Sequence, residues 1–361
     1  MQEWLLPGTV LRNRYEILGL IGQGGMGAVY QAADRRLPGR RCAIKEVWPL
    51  PGTSAERLAQ TRQQFLREAS TLARLDHPNL PKVSDFFTLS PSSPLSEDDG
   101  DDSDLLPAVP EAGPEVTTAR DLAAVSRDYL VMDYVPGQDL EQLCQKAYRE
   151  GRFLQEPEVL GWMVQLCDAL SYLHSQQPPV LHRDVKPANV KLTPEGRIKL
   201  VDFGLVKALD PDDPSTMTGL RGMGSLPYTP IEQYAGELGH TDTRSDLYGL
   251  GATLYHLLTG QTPPSAQQRF LDQNALLPPR EINPAISPQV ERAILAAMAL
   301  HPRDRPGTVA AWCSTLAGPR DQAASPVSSR DVPWVQAVQA NWWLLLLALA
   351  LVAAAVVLTF R

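Results

Sequence analysis

Cysteine is scarce: the 361-residue chain has only Cys42, Cys144, Cys167 and Cys313, far apart and with no C-x-x-C pair among them. That excludes a cysteine zinc site and a disulfide framework, and it points to buried, reduced thiols in a cytosolic domain. The opening stretch, MQEWLLPGTV, lacks the positive charge of a signal peptide, with Glu3 in its place, and its apolar run is too short. The first domain is therefore expected to stay where it is made. No basic stripe marks a nucleic-acid surface, so no nucleic-acid partner is expected. No internal repeat is visible.

What the chain does have is unevenly placed. Residues 90 to 127 hold nine acidic residues (Glu97, Asp98, Asp99, Asp101, Asp102, Asp104, Glu111, Glu115 and Asp121) against Arg120 and Arg127. With a net charge of −8 overall, the rest is close to neutral. This Ser-, Pro- and Asp-rich stretch reads as a disordered, solvated insertion, because it offers little that could form a core.

From Tyr15 the segments YEILGLIG, GAVYQAAD and RCAIKEVW read as strands, being short and rich in β-branched and aromatic residues. TSAERLAQTRQQFLREASTLARL reads as a helix, with Phe65, Leu66, Ala69, Leu72 and Ala73 on its apolar face. PKVSDFFTLS and DYLVMDYV flank the acidic insertion, and after Gly137 long helical runs dominate. A strand-and-loop stretch interrupts them from Val180 to Phe203. The expected layout is a short segment 1–14, a small sheet-rich lobe 15–132, a hinge 133–137 and a helical lobe 138–316. A polar linker 317–341 follows, and then the uncharged run 342–360, which at about 1.5 Å per residue nearly spans a hydrocarbon core of about 30 Å. That run is expected to be a transmembrane helix holding a cytosolic body at a membrane.

LIGQGGMGAVYQAA carries Gly22, Gly24 and Gly27 as G-x-G-x-x-G. The pattern serves either a dinucleotide-binding turn or a hairpin over the phosphates of ATP. Glu46, 19 residues past Gly27, keeps the first reading open. The strand-like AVYQAAD with Val29 two places on favours the second. Lys45 follows in an apolar strand, where an ammonium needs a partner, and Glu68 in the next helix is the candidate.

LHRDVKPANVKL is the strong signal, with Asp184, Lys186 and Asn189 bunched between apolar flanks and Asp202 arriving 18 residues after Asp184 in IKLVDFGL. Phosphoryl transfer needs each of them. Asp184 would accept the proton of an attacking hydroxyl, Lys186 would neutralise charge on the moving group, and Asn189 with Asp202 would hold Mg²⁺ against the phosphates.

On these motifs the chain resembles the protein kinases, specifically the eukaryotic-like serine/threonine kinases of bacteria, over about Tyr15 to Leu316. The resemblance implies an α+β bilobal protein-kinase-like fold: a small antiparallel-sheet lobe with one main helix, the acidic insertion between its fourth and fifth strands, and a larger helical lobe. It implies that Gly22, Gln23, Gly24, Gly25, Met26, Gly27, Ala28 and Val29 cover ATP, and that Lys45 pairs with Glu68. Ile21, Val29 and Ala43 would contact the adenine, Met132 would be the gatekeeper, and Asp133 to Val135 the hinge. Lys186 is the serine/threonine form of the catalytic loop. Asp246 would brace that loop, and Arg305 would pair with Glu232.

Two departures stand out. The family's A-P-E reads Pro230, Ile231 and Glu232 here, with Ser225 where a threonine usually contacts the catalytic aspartate, and one position of the adenine floor falls on Lys191, whose aliphatic stem would have to serve. Arg183 before Asp184 implies control by a phosphate on Ser215, Thr216 or Thr218. The expected function is ATP-dependent phosphorylation of protein serine and threonine hydroxyls, including the chain's own activation loop, at a membrane. Activation in trans would involve a transient homodimer. The alternatives are a small-molecule kinase of the same fold and a pseudokinase scaffold.

Overall fold

The computed structural model describes residues 4–24, 27–48, 55–89, 126–202, 223–233 and 241–316. The chain divides into two units, Met1–Leu316 and Ala317–Arg361. The linker and the apolar run at 342–360 lie outside the described residues, as do the acidic insertion and Ser215, Thr216 and Thr218. Among the described residues no helix is long and apolar enough to cross a membrane.

The small lobe is an antiparallel sheet of β1 (Val10–Leu11), β2 (Tyr15–Gly24), β3 (Gly27–Asp34), β4 (Arg41–Val47), β5 (Val83–Leu89) and β6 (Arg127–Asp133), in the order β1-β2-β3-β4-β6-β5. Period-two alternation gives the sheet two differently used faces. On one, Tyr30, Ala32, Cys42, Ile44, Tyr129 and Val131 close a core with Leu11, Tyr15 and Ile17. On the other, Ala43, Val47, Leu130 and Met132 join the core that continues into the large lobe.

Helix α1 (Ala55–Ala73) packs on this second face through Phe65, Ala69 and Leu72, the i, i+4, i+7 stripe. Leu66 and Ala73, expected on the same face, are exposed, because one residue off the stripe turns a side chain by about 100°. Leu75, just past the helix, is buried instead.

The large lobe holds α2 (Leu140–Arg149), α3 (Glu156–His174), α4 (Thr243–Thr259), α5 (Ala266–Leu271), α6 (Pro279–Ile282), α7 (Pro288–Ala297) and α8 (Val309–Leu316). Helix α4 is buried on every side from Ser245 to Thr259, and α3, α7 and α8 pack around it. Each fully buried leucine or methionine here contributes about 2 kcal/mol of transfer free energy. A small sheet of β7 (Gln138–Asp139), β8 (Val190–Leu192) and β9 (Ile198–Leu200) lies at the crossing between lobes. Gly137 is required there: at φ +111° a Cβ would stand 2.0 Å from the Leu192 carbonyl oxygen.

Candidate active site

The glycine motif falls on a hairpin and does not open a helix. Gly24 pairs with Gly27, Gln23 with Ala28 and Gly22 with Val29 across β2 and β3, while Gly25 and Met26 at the tip lie outside the described residues. A Cβ on Gly27 would stand 1.8 Å from the Glu46 carbonyl oxygen, so the two backbones approach as only glycine allows. Ile21 and Gln23 are exposed, and Val29 packs toward the large-lobe side of the sheet. Ala28 points the other way, into the core with Tyr30, so what it offers a phosphate is backbone.

Alternation in β4 decides between the two readings of the motif. Lys45 faces α1 and the large lobe, and its ammonium meets the Asp202 carboxylate. Glu46 faces the opposite core and is fully buried, accepting from Tyr30 Oη, Tyr129 Oη and Arg127 Nη1, each at 2.9 Å. Its acceptor capacity serves the fold, which removes it as a ribose-binding acid. Glu68 lies in α1, but its side chain is outside the described ones, as is the expected Lys45–Glu68 pairing. Ala43 stands opposite Met132 in the sheet, and both are buried. Asp133 is half-exposed, with Oδ2 accepting from Lys82 N at 3.1 Å, and Val135 is buried.

The catalytic-loop candidates meet as one cluster. Asn189 Nδ2 donates to Asp184 Oδ2 at 3.0 Å and to the Asp184 carbonyl at 2.8 Å. Lys186 Nζ lies 3.0 Å from Asp184 Oδ2 and donates to Ser225 Oγ at 2.7 Å. Val201 N donates to the Asn189 carbonyl at 2.8 Å, which brings Asp202 alongside. Desolvation pushes the Asp202 carboxyl up, but the charge and hydrogen bond of Lys45 hold it below its ordinary value. The Asp184 charge opposes this and Lys186 assists it. The carboxylate is thus kept ionised. Among the described residues no three His, Cys, Asp or Glu side chains gather as a metal cage.

Arg183 and Asp202 both sit in the left-handed region, at φ +62° and +61°. Non-glycine residues there cost of order 1–3 kcal/mol each and persist only where their surroundings fix them. Asp246 does so for the first: Oδ2 accepts from His182 N at 2.9 Å and Oδ1 from Arg183 N at 2.7 Å. His174 Nε2 lies 2.8 Å from Asp246 Oδ2. The sequence pointed to Asp246 but not to His174, whose place at the end of α3 carries no motif.

Glu232 and Arg305 form a buried two-pronged pair, Nη1 to Oε1 at 2.6 Å and Nη2 to Oε2 at 3.0 Å. Ser245 Oγ donates to Glu232 Oε1 at 2.8 Å, and the guanidinium lies 5.0 Å from the Tyr248 ring centre. Ser225 departs from expectation in its partner, since its hydroxyl accepts from Lys186.

The family model described as "protein kinase domain" matches residues 15–315. A probable serine/threonine-protein kinase of Corynebacterium efficiens is 32% identical over 317 residues, covering 85% of this chain and 41% of that protein. The DNA damage-responsive serine/threonine-protein kinase RqkA of Deinococcus radiodurans is 34% identical over 316 residues, covering 85% of this chain and 40% of RqkA. The chain thus spans about two fifths of the length of these curated relatives. Of the solved structures, the apo form of PpkA-294 is similar at a TM-score of 0.63 and 27% identity, over 87% of this chain and 99% of that one. With a small antiparallel-sheet lobe, a helical lobe and this match, the chain belongs to the protein kinase domain family.

Proposed function

We propose that the chain is an ATP-dependent protein serine/threonine kinase that works at a membrane. The observation that carries this reading is the joined cluster of Asp184, Lys186 and Asn189 beside the Lys45–Asp202 pair. Asp184 accepts the proton of the attacking hydroxyl, with its carboxylate aimed by the Asn189 amide. Lys186 spans Asp184 and Ser225, where its charge offsets the negative charge of the transferring group. Lys45 takes the α- and β-phosphates under the β2–β3 hairpin, and Ala43 and Met132 border the adenine.

The Asn189 side-chain oxygen and the Asp202 carboxylate are hard oxygen donors that suit Mg²⁺ completed by phosphate and water. Bound there, Mg²⁺ would neutralise charge on the phosphates. The uncharged run 342–360 supports a membrane-spanning helix, so that carbonate-resistant membrane association should be lost on truncation at residue 341. Arg183 stands next to Asp184 as the partner for an activating phosphate on Thr216 or Thr218, and activation in trans would bring two copies together transiently.

The test is label transfer from γ-labelled ATP to a generic basic protein. Asp184→Asn should lower transfer by about a hundredfold or more while nucleotide still raises Tm. Equal labelling by the variant would overturn the assignment.

A further inference from the structure

The small sheet at the crossing between the lobes has two chemically opposite faces. Val190, Ile198 and Leu200 belong to the large-lobe core and are fully buried. Their strand neighbours Lys191 and Lys199 stand opposite each other on the other face. That face looks toward the small lobe and the hinge. Lys199 Nζ donates to the Leu80 carbonyl at 2.9 Å, and Lys191 Nζ donates to the Gly137 carbonyl at 3.3 Å. Gly137 is held against β8 by its close approach to Leu192 and by the pairing of Gln138 with Leu192. The carbonyl that Lys191 meets is therefore fixed in place.

Lys191 lies between the two ends of the nucleotide site. It stands two residues beyond Asn189, about 7 Å in extended chain, on the phosphate side. Its ammonium reaches Gly137, at the far end of the hinge that Met132 leads into. A nucleotide with its base at Ala43 and Met132 and its phosphates at Lys45, Asn189 and Asp202 sets its sugar over this stretch. The half-buried ammonium has three donors, of which Gly137 takes one. A ligand that covers it must supply acceptors, because a donor left unpaired on burial weakens binding. Asp139, the partner of Lys191 on β7, has Oδ1 committed to Gln142 N at 2.8 Å as the cap of α2. The face of a purine presents no lone pair, whereas ribose presents two hydroxyl oxygens.

We propose that Lys191 is a nucleotide-selecting residue whose ammonium donates to a ribose hydroxyl, so that the site separates ribonucleoside from deoxyribonucleoside triphosphates. The inference rests on the kinase reading above and assigns a contact within the same site. An apolar residue here would support the base by contact area alone and could not tell the sugars apart. Lysine adds a charged donor to that support, and holding one N–H at Gly137 limits where the other two point.

Steady-state label transfer by the full chain is measured with γ-labelled ATP, 2′-deoxy-ATP and 3′-deoxy-ATP. In wild type the KM for at least one deoxynucleotide should exceed that for ATP about tenfold, the size of a hydrogen bond to a charged group. Lys191→Met keeps the aliphatic stem and drops the ammonium. It should raise the KM for ATP about tenfold, with a much smaller change in kcat, and bring the three nucleotides within about twofold of one another. Lys191→Arg, which keeps a charged donor, should retain part of the discrimination. Each ratio is taken within one preparation, so a loss of folded protein cannot produce it. Discrimination by Lys191→Met equal to that of wild type would overturn the proposal, as would a wild type with no preference among the three. A wild-type chain that transfers label from none of them would overturn the kinase reading together with this inference.

Discussion

Asp246 holds Arg183 by its backbone, Oδ1 accepting the Arg183 N–H at 2.7 Å while Arg183 adopts φ +62°. The carboxylate is fully buried on α4, and its second oxygen takes His182 N and faces His174 Nε2. Burial pushes this carboxyl up, but the His174 hydrogen bond and the nearby imidazoles hold it below its ordinary value. One ionised group thus fixes the residue before Asp184 in a conformation it would not choose alone.

Asp246→Asn would turn one of those oxygens into a donor facing another donor. An unsatisfied buried group costs about 1–3 kcal/mol, and release of the Arg183 backbone would misplace Asp184. We expect a loss of stability of that size in urea titration and a fall in kcat of tenfold or more. Activity within twofold of wild type would show that the loop holds its shape without this contact.

Lys45 and Glu46 are neighbours with opposite assignments. Lys45→Met should leave the denaturation midpoint near wild type and abolish phosphoryl transfer. Glu46→Gln should do the reverse, costing on the order of 1–3 kcal/mol because at least one of the donors around this buried carboxylate loses its acceptor, with kcat largely kept. A Glu46→Gln variant that is fully stable but inactive would mean the strand's two faces have been read the wrong way round.

That pair also shows how far sequence could reach. Strands β2 to β4 were legible as short segments rich in β-branched and aromatic residues, and helix α1 because its apolar residues recur at the helical period. Asp184, Asn189 and Asp202 were legible because motif spacing places them on one loop and the strand turn beside it. The burial of Glu46 and the His174–Asp246 contact were not. Each joins residues far apart in the chain, and the partner is chosen by how elements pack.

The Glu232–Arg305 pair should behave as a unit. Removing one partner strands a buried charge, so Arg305→Met should cost about 3–5 kcal/mol in a denaturant series. Arg305→Lys should recover only part of that, since an ammonium cannot match both carboxylate oxygens. In Glu232→Gln/Arg305→Met the loss should be smaller than the sum of the single changes. Additive losses would mean the two residues contribute separately.

His256 predicts how the large lobe responds to acid. It is buried on α4, its Nδ1 lies 2.6 Å from the Tyr228 hydroxyl, and burial lowers its pKa from an ordinary 6.5 to about 4. The folded value lies below the unfolded one, so between pH 6.5 and 4 the unfolded chain binds more proton at this site. Its contribution is therefore intact above about pH 6.5 and is lost as pH falls toward 4, amounting to about 3 kcal/mol. Tyr228 closes the turn Met223–Tyr228 that also carries Ser225, the partner of Lys186, so protonation would loosen the loop beside the catalytic cluster. Urea midpoints measured from pH 7 down to pH 4.5 should fall more steeply for wild type than for His256→Gln. Parallel slopes for the two proteins would mean that His256 is already charged in the folded state, or that its proton is taken up without cost.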